Sequence, residues 1–399
     1  MEPSGRVDAV VVGGGIIGLS VAWEAAGRGL SVAVVDPQPG HGSTWAAAGM
    51  LAPVAEAQFG EQALAALNVA AVHAWPGFAA RLEAASGVPV HFRADGTLLV
   101  AVDPSDRAAT DRVLAFHQAT GLSAARLGAS ACRASEPLLS PAIAGGVDLP
   151  DDHQVDNRAT VGALLAACRS AGVRLVADEV DHVDVVGGRA VGVTLADGGS
   201  LAAGAVVVAA GSRSGDLGGL PEADRPPVRP VRGVTVRLAA GAGVPLLART
   251  VRALVHGRTC YLVPRADGGL VVGATMEERG PDPSVPLGGL ADLLEDARRV
   301  VPALDEYAVV ELAPGLRPGS PDNGPLVGAT GTDGLVVATG HFRNGVLLAP
   351  LTATEVVRLL VGGPGSPDPD LGPFAAFRPH RFASGAATAA GIGVAGGTP

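Results

Sequence analysis

The stretch VDAVVVGGGIIGLSVAWEAAGRGLSVAVVDP, Val7 to Pro37, constrains the fold of this chain more than any other. Val7 to Val12 is a β-branched run, as expected of a parallel strand buried on both faces. Gly13, Gly15 and Gly18 then spell G-x-G-x-x-G. Ile16 to Arg28 reads as a helix, closed by Gly29 just past its end. Val32 to Val35 is a second strand, ended by Asp36 and Pro37. This is a complete βαβ unit. Gly13 makes the tight turn, Gly15 lets backbone approach a pyrophosphate, and Gly18 lets helix pack on strand. The helix start at Ile16 and Ile17 offers N–H groups and a positive dipole end to the phosphates. Asp36 can accept a hydrogen bond from the adenosine ribose. The unit binds a dinucleotide but does not choose between FAD and NAD.

Totals narrow the remaining options. A chain of 399 residues has room for two or three domain-sized units. Its net charge of −10 argues against nucleic acid as a partner. All 29 basic residues are arginine, so lysine Schiff bases, a pyridoxal phosphate anchor and a Walker A lysine are excluded. Cys132, Cys168 and Cys260 stand far apart, which suits a reducing compartment. The opening MEPSGRVDAVVVGGG has no signal-peptide pattern, and no unbroken apolar run reaches spanning length. The expectation is a cytoplasmic protein with no membrane or metal partner.

Other segments carry less decisive signals. HGSTWAAAGMLAP, His41 to Pro53, follows the acid-bearing strand and contains Ser43, Thr44, Ala48, Gly49 and Met50. A bulky cofactor running past its pyrophosphate needs such small neighbours; a surface loop entering an Ala-rich helix is the alternative. The pattern predicts strands at 96–103 and 173–180, and helices at 107–120, 158–171 and 290–300. It also predicts a loop-bearing passage at 135–156, a hairpin around ADGGS at 192–201, and buried strands at 205–214 and 334–339. CYLVPRADGGLVVGATME, Cys260 to Glu277, reads as a hairpin whose alternation puts Tyr261 and Val263 on one face. Tyr261 can bond a ligand carboxylate or simply anchor the sheet. Arg317, in APGLRPGSPDNGPLVG, is either a surface turn residue or a planar fork for a carboxylate. GHFRNGVLLAP, Gly340 to Pro350, sets Arg343 at the mouth of an apolar helix, where a doubly wound fold presents N–H groups to a ligand.

Five of these stretches, GGGIIGLS, GSTWAAAGMLAP, CYLVPR with GGLVVGATME, GLRPGSPDNGPLVG and GHFRNGVLLAP, together resemble the FAD-dependent glycine oxidase family of thiamine biosynthesis. That family lies within the D-amino acid oxidase and sarcosine oxidase superfamily. The resemblance runs from Val7 to about Gly362, with the stretches in the family's order. It implies an α/β fold: a Rossmann-like FAD-binding domain of glutathione-reductase type, and a second α+β substrate domain built on an antiparallel sheet. The FAD-binding domain is expected at 1–85, 145–225 and 311–375, the substrate domain at 86–144 and 226–310, and a flexible tail at 376–399.

The same resemblance implies site roles. Val180 would lie by the adenine, and Ala210 and Gly211 near the cofactor, although ordinary sheet core is the competing reading for all three. His341, Phe342, Arg343, Asn344, Gly345, Val346 and Leu347 would contact the flavin, with Arg343 reaching the substrate side. Arg317 and Tyr261 would bind the substrate carboxylate. Met276 would form an apolar wall, or else sit in the core. The implied reaction oxidises glycine, with sarcosine and small D-amino acids as further candidate substrates, to an imine and then glyoxylate and ammonia, with O2 reduced to H2O2. The imine would feed the thiazole of thiamine. The sarcosine oxidases of the superfamily use a lysine near flavin N5, which this chain lacks; no cysteine is placed for a covalent link, so FAD is expected to be noncovalent. A D-amino acid dehydrogenase passing electrons to a quinone is the alternative. A homotetramer would be consistent with the family.

Overall fold

The computed structural model describes residues 5–362 and 372–382. Two eight-stranded sheets organise it. In the first, Val7–Val12 lies at the centre, with Ser200–Val208 on one side and Val32–Val35 on the other, all parallel. Arg174–Val176 and Leu335–Thr339 extend the parallel array on its two flanks, and Leu326–Ala329 closes one edge antiparallel. Helices Ile16–Ala26, Gln62–Ser86, Asn157–Ser170 and Gly345–Gly362 pack on one face around Leu19, Trp75, Phe78, Leu164 and Leu348. On the other face Val180–Val186 and Arg189–Leu195 fold into an antiparallel meander with Ser200–Val208. Val10, Val12, Val183, Val193 and Val206 fill the space beneath it. Burial on both faces explains the unbroken valine runs of the central strands.

The second sheet is largely antiparallel and runs Tyr307–Gly319, Arg229–Ala240, Gly269–Gly273, Arg258–Pro264, Thr250–Val255, Thr97–Ala101, Gly145–Leu149, Ala125–Leu127. Helix Leu287–Val300 covers one face, seating Leu293, Ala297 and Val300 on Val236, Leu262 and Val272. The period-two alternation of CYLVPR works as expected. Cys260 and Leu262 enter this core, while Val263 and Tyr261 turn to the opposite face beside Ala48 and Met50.

Several expectations shift. The passage 135–156 contains a strand, Gly145–Leu149, which pairs with Thr97–Ala101. The segment 173–180 is broken into Arg174–Val176 and the start of Val180–Val186. The sheets divide the chain differently from the segments expected. Gly145–Leu149 and all of Tyr307–Gly319 lie in the second sheet, so junctions at 145 and 311 would cut through it. Local pattern marks a strand but not which sheet accepts it. Within the expected tail, residues 376–382 are ordered. Phe377 is buried, and Arg381 donates to Asp322 Oδ2 at 2.8 Å. The rest of the tail lies outside the described residues. Two helices, Gln62–Ser86 and Gly345–Gly362, are long and apolar enough to cross a membrane, where the sequence reading expected none. Both contribute side chains such as Trp75 and Leu348 to the core.

Candidate active site

A cavity of about 800 Å³ opens between the two sheets. That volume falls in the range of small-molecule and cofactor sites. Its wall begins with Gly13, Gly15, Ile16 and Ile17, and passes Asp36, Pro37 and Val180 at one end. Ser43, Thr44, Ala48, Gly49 and Met50 line its middle with Ala210 and Gly211 opposite. Tyr261, Arg317, His341, Phe342, Arg343, Gly345 and Val346 line the other end. Residues from nearly every sequence stretch singled out above thus meet in one space.

Four expected site residues stay outside the lining. Gly18 sits one turn into the helix, where a Cβ would fall 2.0 Å from the Gly13 carbonyl oxygen, so its role is packing. Asn344 is buried, its carbonyl accepting from Leu348 N at 2.8 Å. Leu347 is core, and its carbonyl accepts from Trp75 Nε1 at 2.9 Å. Met276 is 61% exposed. It lies three residues past the end of strand Gly269–Gly273, outside both the cavity wall and the core.

At the nucleotide end the geometry follows from glycine. Gly13 has φ 105°, and a Cβ there would meet the Ala209 carbonyl oxygen at 2.4 Å. The Asp36 carboxylate accepts from Gly14 N and from Gln38 N, both at 2.7 Å. It is thereby fixed at the strand end with lone pairs left over for a ribose hydroxyl. Thr44 Oγ1 accepts from Ile16 N at 3.2 Å, tying the small-residue loop to the helix start.

That loop runs through the interior, so its carbonyls need partners. Asn157 Nδ2 donates to Thr44 O (2.7 Å), Thr235 Oγ1 to Ala46 O (2.8 Å), and Arg265 Nη2 to Ala48 O (2.7 Å). Helix Asn157–Ser170 presents Asn157 because Asp156 caps it, accepting from Arg158 N and Ala159 N. A helix packed on the first sheet and the second sheet's strands therefore hold the loop that lines the cavity.

The substrate end is a cluster of charge. Arg317 lies on Tyr307–Gly319 and Tyr261 on Arg258–Pro264, and each needs space on a neighbouring strand. A Cβ on Gly233 would lie 2.0 Å from Arg317 Nη1, and one on Gly273 would lie 2.3 Å from Tyr261 Cζ. Arg317 Nη1 donates to Thr275 O at 3.3 Å and Arg232 O at 3.5 Å, its charge acts on Tyr261 and Glu56, and among the described residues no carboxylate forms an ion pair with it. Burial pushes the Tyr261 phenol up, so it remains a neutral hydroxyl. Phe342 N donates to Pro318 O at 2.9 Å, stitching the segment of Arg343 to the strand of Arg317. Burial drives His341 down to about 3, so its ring is neutral, with Nε2 3.0 Å from Thr352 Oγ1.

Arg343 is not free. Its Nε lies 3.1 Å from Glu56 Oε2, and its two terminal nitrogens lie 2.8 and 2.6 Å from the Gln58 amide oxygen when that oxygen faces them. Glu56 also accepts from Arg252 Nη1. Burial opposes the Glu56 charge, but Arg252 and Arg343 outweigh it and hold the carboxyl below its usual range. Behind it, Asp152 accepts from Val54 N (2.8 Å) and Ala55 N (3.0 Å); burial pushes its carboxyl up to about 7. Sequence reasoning missed Glu56, Arg252 and the two strand glycines. A signal existed for Arg252, which is the cross-strand partner of Tyr261 and so shares its face.

A dinucleotide with a bulky ring fits these features. The glycine cradle and the helix start at Ile16 suit phosphates, and Asp36 suits a ribose. The first turn of Gly345–Gly362 has N–H groups without intrahelical partners at the far end. None of Cys132, Cys168 and Cys260 lines the cavity, and burial pushes Cys168 and Cys260 up to about 12, so no thiol is offered for a covalent link.

Residues 8–359 match the family model DAO, FAD dependent oxidoreductase. The chain is 35% identical over 94% of its length to the bifunctional protein ThiO/ThiG of Synechocystis sp., covering 54% of that protein. It thus spans about half the length of the ThiO/ThiG relatives it matches. It is 33% identical to the glycine oxidase of Geobacillus kaustophilus, with 89% of this chain and 93% of that one aligned. The crystal structure of glycine oxidase from Geobacillus kaustophilus superposes with a TM-score of 0.82, covering 94% of this chain and 99% of that one at 32% identity.

Proposed function

The chain belongs to the family of FAD dependent oxidoreductases, and from that premise we propose that it is an amino acid oxidase acting on glycine. The Gly13–Gly18 turn would hold the nucleotide of a noncovalent FAD, and the residues His341 to Val346 would hold its ring. Arg317 carries the reading. It is a guanidinium on the cavity wall with no ion-paired acid among the described residues, beside the neutral hydroxyl of Tyr261. Together they receive one carboxylate through charge-assisted hydrogen bonds. FAD bound there would supply the two-electron acceptor for the substrate carbon, with O2 as the final acceptor and H2O2 as its product.

The protein's part is binding, orientation and exclusion of water. Arg317 and Tyr261 fix the carboxylate, which aims the Cα–H bond toward the ring. No side chain is needed as general base if the amine arrives neutral. The released imine hydrolyses to glyoxylate and ammonia. Likeness to proteins named ThiO/ThiG supports a role in supplying that imine for the thiazole of thiamine.

The test is the visible spectrum of the FAD-bound protein mixed anaerobically with glycine and then exposed to air. Bleaching followed by recovery with peroxide release is expected. Bleaching without recovery in air would redirect the reading to a dehydrogenase, and no bleaching with glycine would overturn the substrate.

A further inference from the structure

Among the largest fully buried side chains of the described residues, Arg232 is the one that carries a charge, at 1% exposure. It is tied to residues 274–286, a strap that joins strand Gly269–Gly273 to helix Leu287–Val300. Its guanidinium binds the strap at three places. Nη2 donates to Glu277 Oε2, and Nη1 donates to Asp282 Oδ2 at 3.1 Å and to Ser284 Oγ at 2.8 Å. The Arg232 and Glu277 backbones also pair in both directions at 2.9 Å. The root of this strap touches the substrate end. Arg317 Nη1 donates to Arg232 O and to Thr275 O. Thr275 Oγ1 accepts from Val234 N at 2.9 Å, and Pro283, farther along the strap, lines the cavity. The two carbonyls that receive Arg317 thus belong to the joint between strap and strand.

We propose that Arg232 is a positioning residue: by pinning the strap it fixes the Arg232 and Thr275 carbonyls, which aim the Arg317 guanidinium at the substrate carboxylate. This rests on the proposed role of Arg317 as carboxylate anchor. A guanidinium presents its donors in a rigid fork, so one arm takes Glu277 while the other takes Asp282 and Ser284. The strap cannot swing away from the strand without leaving a charge buried and unpaired. Arg317 is a planar fork as well, and two parallel bonds to a carboxylate require that its plane be held. Its carbonyl contacts, at 3.3 and 3.5 Å, are at the long end for N–H···O bonds. A small retreat of the strap therefore releases it.

The test uses the FAD-bound protein and acetate, a bare carboxylate, with its Kd read from perturbation of the flavin absorbance. Glycine kcat and KM are measured alongside. Arg232→Met removes the fork at similar volume. Glu277 and Asp282, whose side chains are already 23% and 55% exposed, can then turn to water, so the variant keeps its fold and flavin. It is expected to raise the acetate Kd and the glycine KM by about 10-fold while kcat changes by less than about 3-fold, the signature of lost ground-state binding. Arg232→Lys, which keeps the charge but not the fork, should recover part of the loss. In an Arg317→Met background, Arg232→Met should lower kcat/KM for glycine no further, as for residues that act through one contact. Unchanged acetate affinity in Arg232→Met, or additive losses in the double variant, overturns the proposal. Should Arg232→Met not take up flavin, Asp282→Asn takes its place, with a rise in acetate Kd of about 3-fold expected and no rise overturning. Arg317→Met alone judges the anchor. Wild-type acetate affinity there would remove the anchor and this proposal with it; loss there, with the Arg232 variants unaffected, would remove only the role of Arg232. Acetate binding needs no turnover, so it decides even if glycine is not the substrate.

Discussion

The two ends of the cavity are built in opposite ways. The nucleotide end is backbone: three glycines, a helix start and one strand-terminal acid, all within thirty-odd residues of chain. The substrate end is side chains brought from far apart. Glu56 reaches Arg252 across 196 positions, and Tyr261, Arg317 and Arg343 come from three further segments. The first end tolerates no added atoms but needs little long-range assembly. The second depends on the two sheets meeting correctly. A lesion at the first should therefore cost the cofactor, and one at the second should cost chemistry with the cofactor retained.

The sharpest way to break this contrast is Gly18→Ala. A Cβ there lies 2.0 Å from a backbone oxygen and 3.1 Å from Val11 Cγ1, with no flexible end to move aside. Separation of helix from strand should abolish FAD retention. The check is the ratio of flavin absorbance to protein after purification; a fully loaded variant would refute it. Arg317→Met should do the opposite. Loss of the charged fork should lower kcat/KM for glycine by about 10²- to 10³-fold, the scale of a truncated buried charge contact, while FAD content stays normal. Steady-state oxygen uptake measures the first and the flavin spectrum the second.

The same contrast decides what was legible in sequence. The nucleotide end could be read because each residue's partner lies within one βαβ unit, so spacing alone carries the geometry. Arg317 and Tyr261 could be read only as alternatives until the family resemblance was added, since a turn arginine and a strand tyrosine are ordinary in isolation. Glu56 sits in an unremarkable loop, and its partners are set by sheet packing, which no local pattern encodes. Gly233 and Gly273 were visible as glycines inside strands, a known mark of close approach, but what approaches them belongs to another strand. Met276 was placed by the family resemblance alone; it is exposed, and neither the cavity wall nor the core contains it. The strands at 145–149 and 307–319 join the second sheet, which local pattern could not tell, because a strand's sequence does not say which sheet it joins.

Gly273→Ala sharpens the comparison within the substrate end. The new methyl would fall 2.3 to 2.4 Å from the Tyr261 ring and hydroxyl, whereas Arg317 is given its room by Gly233. The variant should displace the hydroxyl and leave the guanidinium in place. A shift of this size in one positioning group should lower kcat/KM for glycine by about 10-fold, up to 10²-fold. Tyr261→Phe should give a similar loss, and the double variant little more than either alone. Additive losses would show that Gly273 acts by another route.

The smallest effect concerns the support beneath Glu56. Burial raises the Asp152 carboxyl from 3.8 to about 7, against the pull of the Val54 and Ala55 N–H groups and Arg252. The folded protein thus holds this proton more tightly than the unfolded chain does. Asp152's contribution to stability is therefore full below about pH 4 and is lost as pH rises through about 7. Thermal unfolding of wild type and Asp152→Asn should be compared from pH 5 to pH 8. The asparagine variant accepts one backbone N–H fewer, so it should be less stable by about 1 kcal/mol at pH 5. As pH rises the gap should close and then reverse, because only wild type must ionise a buried group. A gap that stays constant across the range would mean that Asp152 is ionised throughout, held by its two N–H donors and Arg252. The turn carrying Glu56 would then rest on a permanent charge rather than on a titrating one.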